Sequence, residues 1–307
     1  MVRTWDVSSI PDLAGRVAIV TGGNTGIGYI TVRELARKGA RVYMLSRTEA
    51  RALAAIEKIE GELAPDVQPE IEYINFDLLS LKSCKQAAEE FMRREQRLDI
   101  LVNNAGIMAT PYQLSPDGIE IQACNGTGHF ALTVTLLPLL KETAAIPDSH
   151  VRVVNVSSAG YAMASTTKPD FTSIEGLNQK TCLAMQRYAL SKLTNILLTN
   201  EVQKRFTESG ITNAYCLSIH PGIVATDMAR GMYLWPLLAT FSKTPEQGAL
   251  SQLYAATSPE VEEKDLKAAL LFPVGQLKSK NSLAEDKDGK LGGDFWSLCE
   301  ALMREKA

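Results

Sequence analysis

Arg16-Val-Ala-Ile-Val-Thr21 runs without a break into Gly22-Gly23-Asn24-Thr25-Gly26-Ile27-Gly28, and Thr31-Val-Arg-Glu-Leu-Ala-Arg-Lys-Gly39 follows with helical spacing. The first segment shows no apolar–polar alternation, so it reads as a strand covered on both faces. A glycine-rich turn between such a strand and a helix lets the backbone approach a pyrophosphate. The helix start adds free N–H groups and the positive end of its dipole. Gly22, Asn24, Thr25, Gly26, Ile27 and Gly28 are therefore candidate dinucleotide contacts. Glycine turns are common, and this one gains its weight from its place after the first buried strand. Its spacing is G-x-x-x-G-x-G rather than G-x-G-x-x-G.

The alternation of short apolar runs with amphipathic segments continues to about residue 273. Arg41–Ser46, Ile71–Phe76, Asp99–Asn103, Val151–Ser157, Asn213–Ile219 and Ala268–Phe272 read as further strands. Helical patterns lie near 26–38, 48–63, 80–96, 117–142, 179–207 and 244–257. Strands and helices alternating with right-handed crossovers imply the α/β class, as a single doubly wound domain. Its parallel sheet should have about seven strands in the order 3-2-1-4-5-6-7. Lys278–Lys290 holds almost no large apolar residue and reads as an exposed polar connection. Beyond it Phe295, Cys299, Leu302 and Met303 share one face of a C-terminal helix that docks on the same domain. The expected division is a catalytic domain over 1–277 and this tail over 278–307.

The 307 residues are 45% hydrophobic and 22% charged, enough chain for one large core without a metal or disulfide staple. Thirty-two basic residues against 35 acidic ones leave a net charge of −3, which argues against a nucleic-acid binder working through a basic face. The five cysteines, Cys84, Cys124, Cys182, Cys216 and Cys299, are scattered without C-x-x-C spacing. They read as reduced core residues of a cytoplasmic protein. No two of His129, His150 and His220 have metal-ligand spacing, so no metal is expected and structural or surface roles are. The N-terminal residues carry no run of signal-peptide type. Met232–Phe241 is apolar but interrupted by Pro236, and falls far short of the roughly 20 residues needed to cross a bilayer.

Four later motifs stand in order. Asn103-Asn104-Ala105-Gly106 closes the fourth strand and Ser157-Ser158 the fifth. Tyr188 and Lys192 are at i and i+4 of a helix, and His220-Pro221-Gly222 with Thr226 follows the sixth strand. With the glycine turn, these segments resemble the short-chain dehydrogenase/reductase family, whose chains carry TGxxxGxG, NNAG, a catalytic serine, YxxxK and a PG segment in this order. The resemblance spans residues 21–226. Asn125-Gly-Thr-Gly-His-Phe-Ala-Leu-Thr133 and Ala189–Leu197 look most like its retinol-dehydrogenase-like branch and related fungal NADP-dependent reductases.

That resemblance implies a Rossmann-type fold, a nicotinamide cofactor and hydride transfer between it and a carbonyl/alcohol pair. It aligns Ser158, rather than Ser157, with the serine whose hydroxyl bonds the substrate carbonyl oxygen. It puts Asn125 where an asparagine kinks the central helix and links the lysine, through water, to a proton relay; Gly126 and Gly128 agree with an irregular helix there. Asp77, Leu78, Asn104, Ala105, Gly106, Pro221, Gly222 and Thr226 become cofactor contacts, beside Tyr188 and Lys192. Residues of about 223–243 become a variable substrate lid, and 166–181, between Ser158 and Tyr188, a loop over the site.

The residues make chemical sense by themselves. Tyr188 and Lys192 share a helix face. An ammonium ~4.5 Å from a phenol at an effective dielectric of ~20 contributes roughly 3–4 kcal/mol. Lys192 is thus expected to bring a phenol of pKa near 10 down by about 2–3 pH units, toward the range useful for acid–base work. Tyrosine and lysine at this spacing also occur on many solvated faces, and it is the other motifs that single out this pair. At the end of the second strand an acid would bind the ribose hydroxyls of NAD. Ser46 stands there instead, followed by Arg47, whose guanidinium can hold a phosphate bidentately and favours NADP(H).

The expectation is an NADP(H)-dependent oxidoreductase acting on a small hydrophobic carbonyl or alcohol, with aldehyde or ketone reduction favoured. No nucleic acid and no transmembrane segment are expected; a homo-oligomer is compatible with the sequence. Met232, Tyr233, Leu234, Trp235 and Leu238 fit an apolar lid, a membrane contact or a subunit interface. A membrane-associated retinol or sterol dehydrogenase is the alternative enzyme. A catalytically silent NADP-sensing protein is the alternative of another class, and the intact Tyr–Lys pair speaks against it.

Overall fold

The computed structural model describes residues 5–180, 183–225 and 242–307. Its strands are β1 (Val17–Thr21), β2 (Arg41–Ser46), β3 (Glu70–Asn75), β4 (Ile100–Asn103), β5 (Val151–Val156), β6 (Ala214–Ile219), β7 (Leu270–Phe272) and β8 (Gln276–Lys278). They form one sheet in the order β3-β2-β1-β4-β5-β6-β7-β8. Pairing is parallel throughout, from Val17 against Arg41 to Ser218 against Leu270, except that β8 runs antiparallel to β7. The long helices are α1 (Gly26–Arg37), α2 (Glu49–Glu62), α3 (Leu81–Arg94), α4 (Cys124–Ala144), α5 (Ala184–Glu208), α6 (Pro245–Thr257) and α7 (Lys290–Lys306).

Every residue of β1, β4, β5 and β6 is buried, because helices cover both faces. Successive side chains of β1 divide between the two layers. Val17 and Ile19 join Phe91, Phe130, Leu193 and Phe295 beneath α3, α4, α5 and α7. Ala18 and Val20 join Leu35, Ile56 and Leu253 beneath α1, α2 and α6. The strand order reverses between β1 and β4, and there a doubly wound sheet opens a crevice at the carboxyl ends of its strands. Four cysteines, Cys84, Cys124, Cys216 and Cys299, are buried free thiols. Among the described residues no helix is long and apolar enough to cross a membrane, and no cluster of His, Cys, Asp and Glu could hold a metal.

The structure adds to or shifts the expected pattern at four points. The sheet has an eighth strand, β8, on the edge beside β7; three residues leave no readable periodicity. The polar segment after it is tied to the rest of the domain. Lys280 Nζ donates to Asn200 Oδ1 and to Ala268 O, each at 2.6 Å, and the Asn281 N–H donates to Tyr161 OH. Polar contacts hold what the apolar pattern could not reveal. Residues between Ser158 and Tyr188 are likewise anchored: Phe171 is buried and packs on Phe295 of α7 with ring centroids 5.5 Å apart. Helix starts also shift, since α4 begins at Cys124 after turns that include a Leu114–Glu120 bridge, and α5 begins at Ala184.

Candidate active site

The glycine turn forms a cradle that side chains would fill. A Cβ on Gly28 would lie 2.3 Å from Gly22 O, and Gly22 itself has φ +64°. Beside it, Asn104 Nδ2 donates to Thr21 O at 2.8 Å, and the Asn104 and Ala105 N–H groups both donate to Thr21 Oγ1 at 2.9 Å. A cavity of about 220 Å³ opens here. Its lining brings together Gly22, Asn24, Arg47, Asp77, Leu78, Ala105 and Gly106 as the sequence predicts. Thr25 and Gly26 line an adjoining space of about 660 Å³.

Ser46, singled out in the sequence by its position, also lines this wall, as do Arg51 and Phe76, which sequence reasoning missed as site residues. Ser46 Oγ is buried without a hydrogen-bond partner. Every described arginine from Arg16 to Arg205 holds a carboxylate except Arg47 and Arg51. An orphaned hydroxyl, two unpaired guanidinium groups and a glycine cradle fit a dinucleotide carrying an extra phosphate on its adenosine half. The signal available in the sequence was Arg51 in the first turn of the helix after Arg47.

On the other side of the crevice β5 and α5 bring the chemistry together. Ser158 caps a short 3-10 segment, Ala159–Thr166, and its Oγ accepts the Gly160 N–H at 3.1 Å. Ser157 Oγ instead donates to Lys192 O at 2.8 Å and is buried, so the second serine is the one that faces Tyr188. Burial pushes the Tyr188 phenol up to about 12, opposed by a hydrogen bond from Ser158. Lys192 is buried as well. Its Nζ donates to Val156 O at 2.8 Å and stands 5.6 Å from the Tyr188 ring centroid, and burial pushes it down to about 7. The expected lowering of the phenol by the lysine is therefore not seen in this geometry. Desolvation dominates both groups, and a lysine near 7 is only partly charged at neutral pH.

Asn125 is a buckle. Its Oδ1 accepts the Ile107 N–H at 2.8 Å, while Nδ2 donates to Ile107 O at 2.8 Å and to Ser191 Oγ at 3.0 Å. Its carbonyl accepts from His129 Nδ1 at 2.8 Å. Gly126 and Gly128 allow close packing at the start of α4, where the Gly126 N–H donates to Ala123 O three residues back: a Cβ would meet Thr194 Oγ1 at 2.1 Å on the first and Leu78 O at 2.6 Å on the second. Pro221 and Gly222 follow β6. Gly222 has φ +94°, with the Lys243 stem 3.1 Å from where a Cβ would sit. Thr226 and Met232–Phe241 lie outside the described residues.

The remaining histidines are structural or superficial, as expected: exposed His150 pairs with Glu262 at 2.7 Å, and His220 packs edge-on against Phe272. The loop between β4 and α4, whose last residues the sequence placed in the helix, is held beside α5 by a buried Arg187–Glu120 ion pair at 3.1 Å.

Comparison with known proteins agrees with this arrangement. Residues 16–173 match the family model for short chain dehydrogenase. A short chain dehydrogenase/reductase of Colletotrichum higginsianum is 39% identical, covering 98% of this chain and 78% of its own. Mouse retinol dehydrogenase 12 is 38% identical over 81% of this chain and 76% of its own. Among solved structures, an uncharacterized protein from Mycobacterium paratuberculosis superposes with TM-score 0.73 at 31% identity, covering 98% of each chain. The Pseudomonas aeruginosa RhlG/NADP active-site complex shares the fold with TM-score 0.66 at 23% identity, over 86% of this chain and 96% of its own. With the glycine cradle, the Ser158–Tyr188–Lys192 cluster and these similarities in hand, the chain belongs to the short-chain dehydrogenase/reductase family of oxidoreductases.

Proposed function

We propose that this protein is an NADP(H)-dependent reductase of hydrophobic aldehydes or ketones. The observation that carries the reading is the meeting of half-buried Ser158 with buried Tyr188 and Lys192 at the carboxyl ends of the strands, across the crevice from two unpaired arginines. A bound nicotinamide supplies the hydride. Ser158 orients the carbonyl by donating to its oxygen, and Tyr188 delivers the proton to that same oxygen. Lys192 would hold the nicotinamide ribose, and Arg47 with Arg51 and Ser46 the adenosine 2′-phosphate. NADP in the solved RhlG complex supports the choice of cofactor.

Initial rates of NADPH consumption against a panel of hydrophobic aldehydes and ketones, with NADH in parallel, test the reading. NADPH-dependent turnover is expected; equal rates with both cofactors would reject the phosphate site, and tight NADPH binding without turnover on any compound would favour a sensing role. Similarity to retinol dehydrogenases makes retinal an informative member of the panel.

A further inference from the structure

His129 lies on α4, fully buried, and no part of the proposed chemistry uses it. Its two ring nitrogens nevertheless join the two halves of the site. Nδ1 is 2.8 Å from the Asn125 carbonyl, and Nε2 is 2.9 Å from Thr21 Oγ1 at the end of β1. The Phe76 ring, which lines the nucleotide cavity, lies nearly parallel to the imidazole at a centroid distance of 6.2 Å.

The partners dictate where the protons are. A carbonyl oxygen can only accept, so Nδ1 must carry the hydrogen. Burial holds the ring neutral, with its pKa pushed down to about 3, so Nε2 is bare. The Thr21 hydroxyl must then donate to Nε2, since its oxygen already receives the N–H groups of Asn104 and Ala105. Its other available acceptor, Val102 O, is at 3.5 Å. In the opposite tautomer two bare acceptors would face each other at the Asn125 carbonyl, and three donors would crowd Thr21 Oγ1.

We propose that His129 is a positioning residue of the nucleotide cleft: its Nδ1–H tautomer fixes the direction of the Thr21 hydroxyl, and through it the Asn104–Ala105 main chain, of which Ala105 walls the cavity. This rests on the dinucleotide reading of that cavity. The sequence gives no sign of such a role, because a lone histidine on an apolar helix face looks like any core histidine.

The experiment is a nitrogen-15 NMR spectrum of the imidazoles at neutral pH, taken without nucleotide, with His129→Leu used to assign the signal. A pyrrole-type Nδ1 and a pyridine-type Nε2 are expected, and the reverse pattern, or fast exchange between the two, would overturn the proposal. A merely space-filling histidine has no reason to hold one tautomer. In parallel, NADPH dissociation constants are measured for His129→Leu, Thr21→Val and the double variant. Each single change should weaken binding about tenfold, the scale of one buried hydrogen bond. The double variant should be little worse than either single one, whereas a multiplied, roughly hundredfold loss would mean that the residues act separately. Wild-type protein without NADPH affinity would reject the nucleotide reading itself, while the spectrum still decides the imidazole.

Discussion

Two buried groups with opposite displacements define the site at the scale of the residue. Lys192, near 7 in the folded protein against an ordinary value of 10.5, binds fewer protons folded than unfolded between those values. Its stability cost is therefore fully present below about pH 7 and relieved as pH rises toward 10.5, at roughly 1.4 kcal/mol per pH unit. Lys192→Met should melt higher than wild type at pH 6, and the gap should narrow steadily by pH 9. A gap that does not change with pH would mean that the ammonium is not desolvated. Arg47 and Arg51 are the opposite case, charges left without a partner in the fold. Arg47→Ala and Arg51→Ala should each weaken NADPH binding by about 10- to 100-fold, as expected for a lost charge-assisted contact, and leave NADH affinity nearly unchanged. Isothermal titration with both nucleotides checks this, and equal losses for the two would remove the phosphate contact.

At the scale of the element, the glycine turn, the buried strands and the order of the motifs were readable because each leaves a local mark. β1 is continuously apolar, Gly22 and Gly28 sit where backbone must meet backbone, and Tyr188 and Lys192 share a helix face. Pairings between distant segments leave no such mark. The Thr21–His129 contact spans 108 residues and the Arg187–Glu120 pair spans 67, and neither has a periodic signature. Burial was the other hidden quantity: spacing alone placed an ammonium near a phenol, but enclosure reversed the expected direction of the phenol shift. Gly28→Ala tests the cradle. With its Cβ 2.3 Å from Gly22 O, the turn must move, and NADPH binding should fall by at least about tenfold even if the protein stays folded by circular dichroism.

Over the whole molecule, α7 acts as a seal on the layer formed by α3, α4 and α5. Phe295 and Trp296 meet Phe130 edge-on at 6.2 and 4.8 Å, and the Arg205 guanidinium stacks 3.2 Å from the Trp296 ring. The apolar face of α7 was visible in Phe295, Cys299 and Leu302; Trp296 was not expected inward, because its indole N–H remains bonded to Glu300 at 2.8 Å at the edge of the packed face. Trp296→Ala should cost roughly 3–5 kcal/mol, read from the urea midpoint. Truncation after Gly289 removes several such side chains at once, against a total stability of about 5–15 kcal/mol, and should leave protein that does not fold cooperatively. A truncated chain with a wild-type midpoint would show that α7 is not part of the core.

The most direct measurement compares Tyr188→Phe with wild type in NADPH-dependent reduction of a hydrophobic aldehyde, with NADPH affinity measured on both. Proton delivery by Tyr188 predicts a turnover loss of about 10²- to 10⁴-fold at unchanged affinity. Turnover within a few-fold of wild type would contradict it, and would place the acid elsewhere in the crevice.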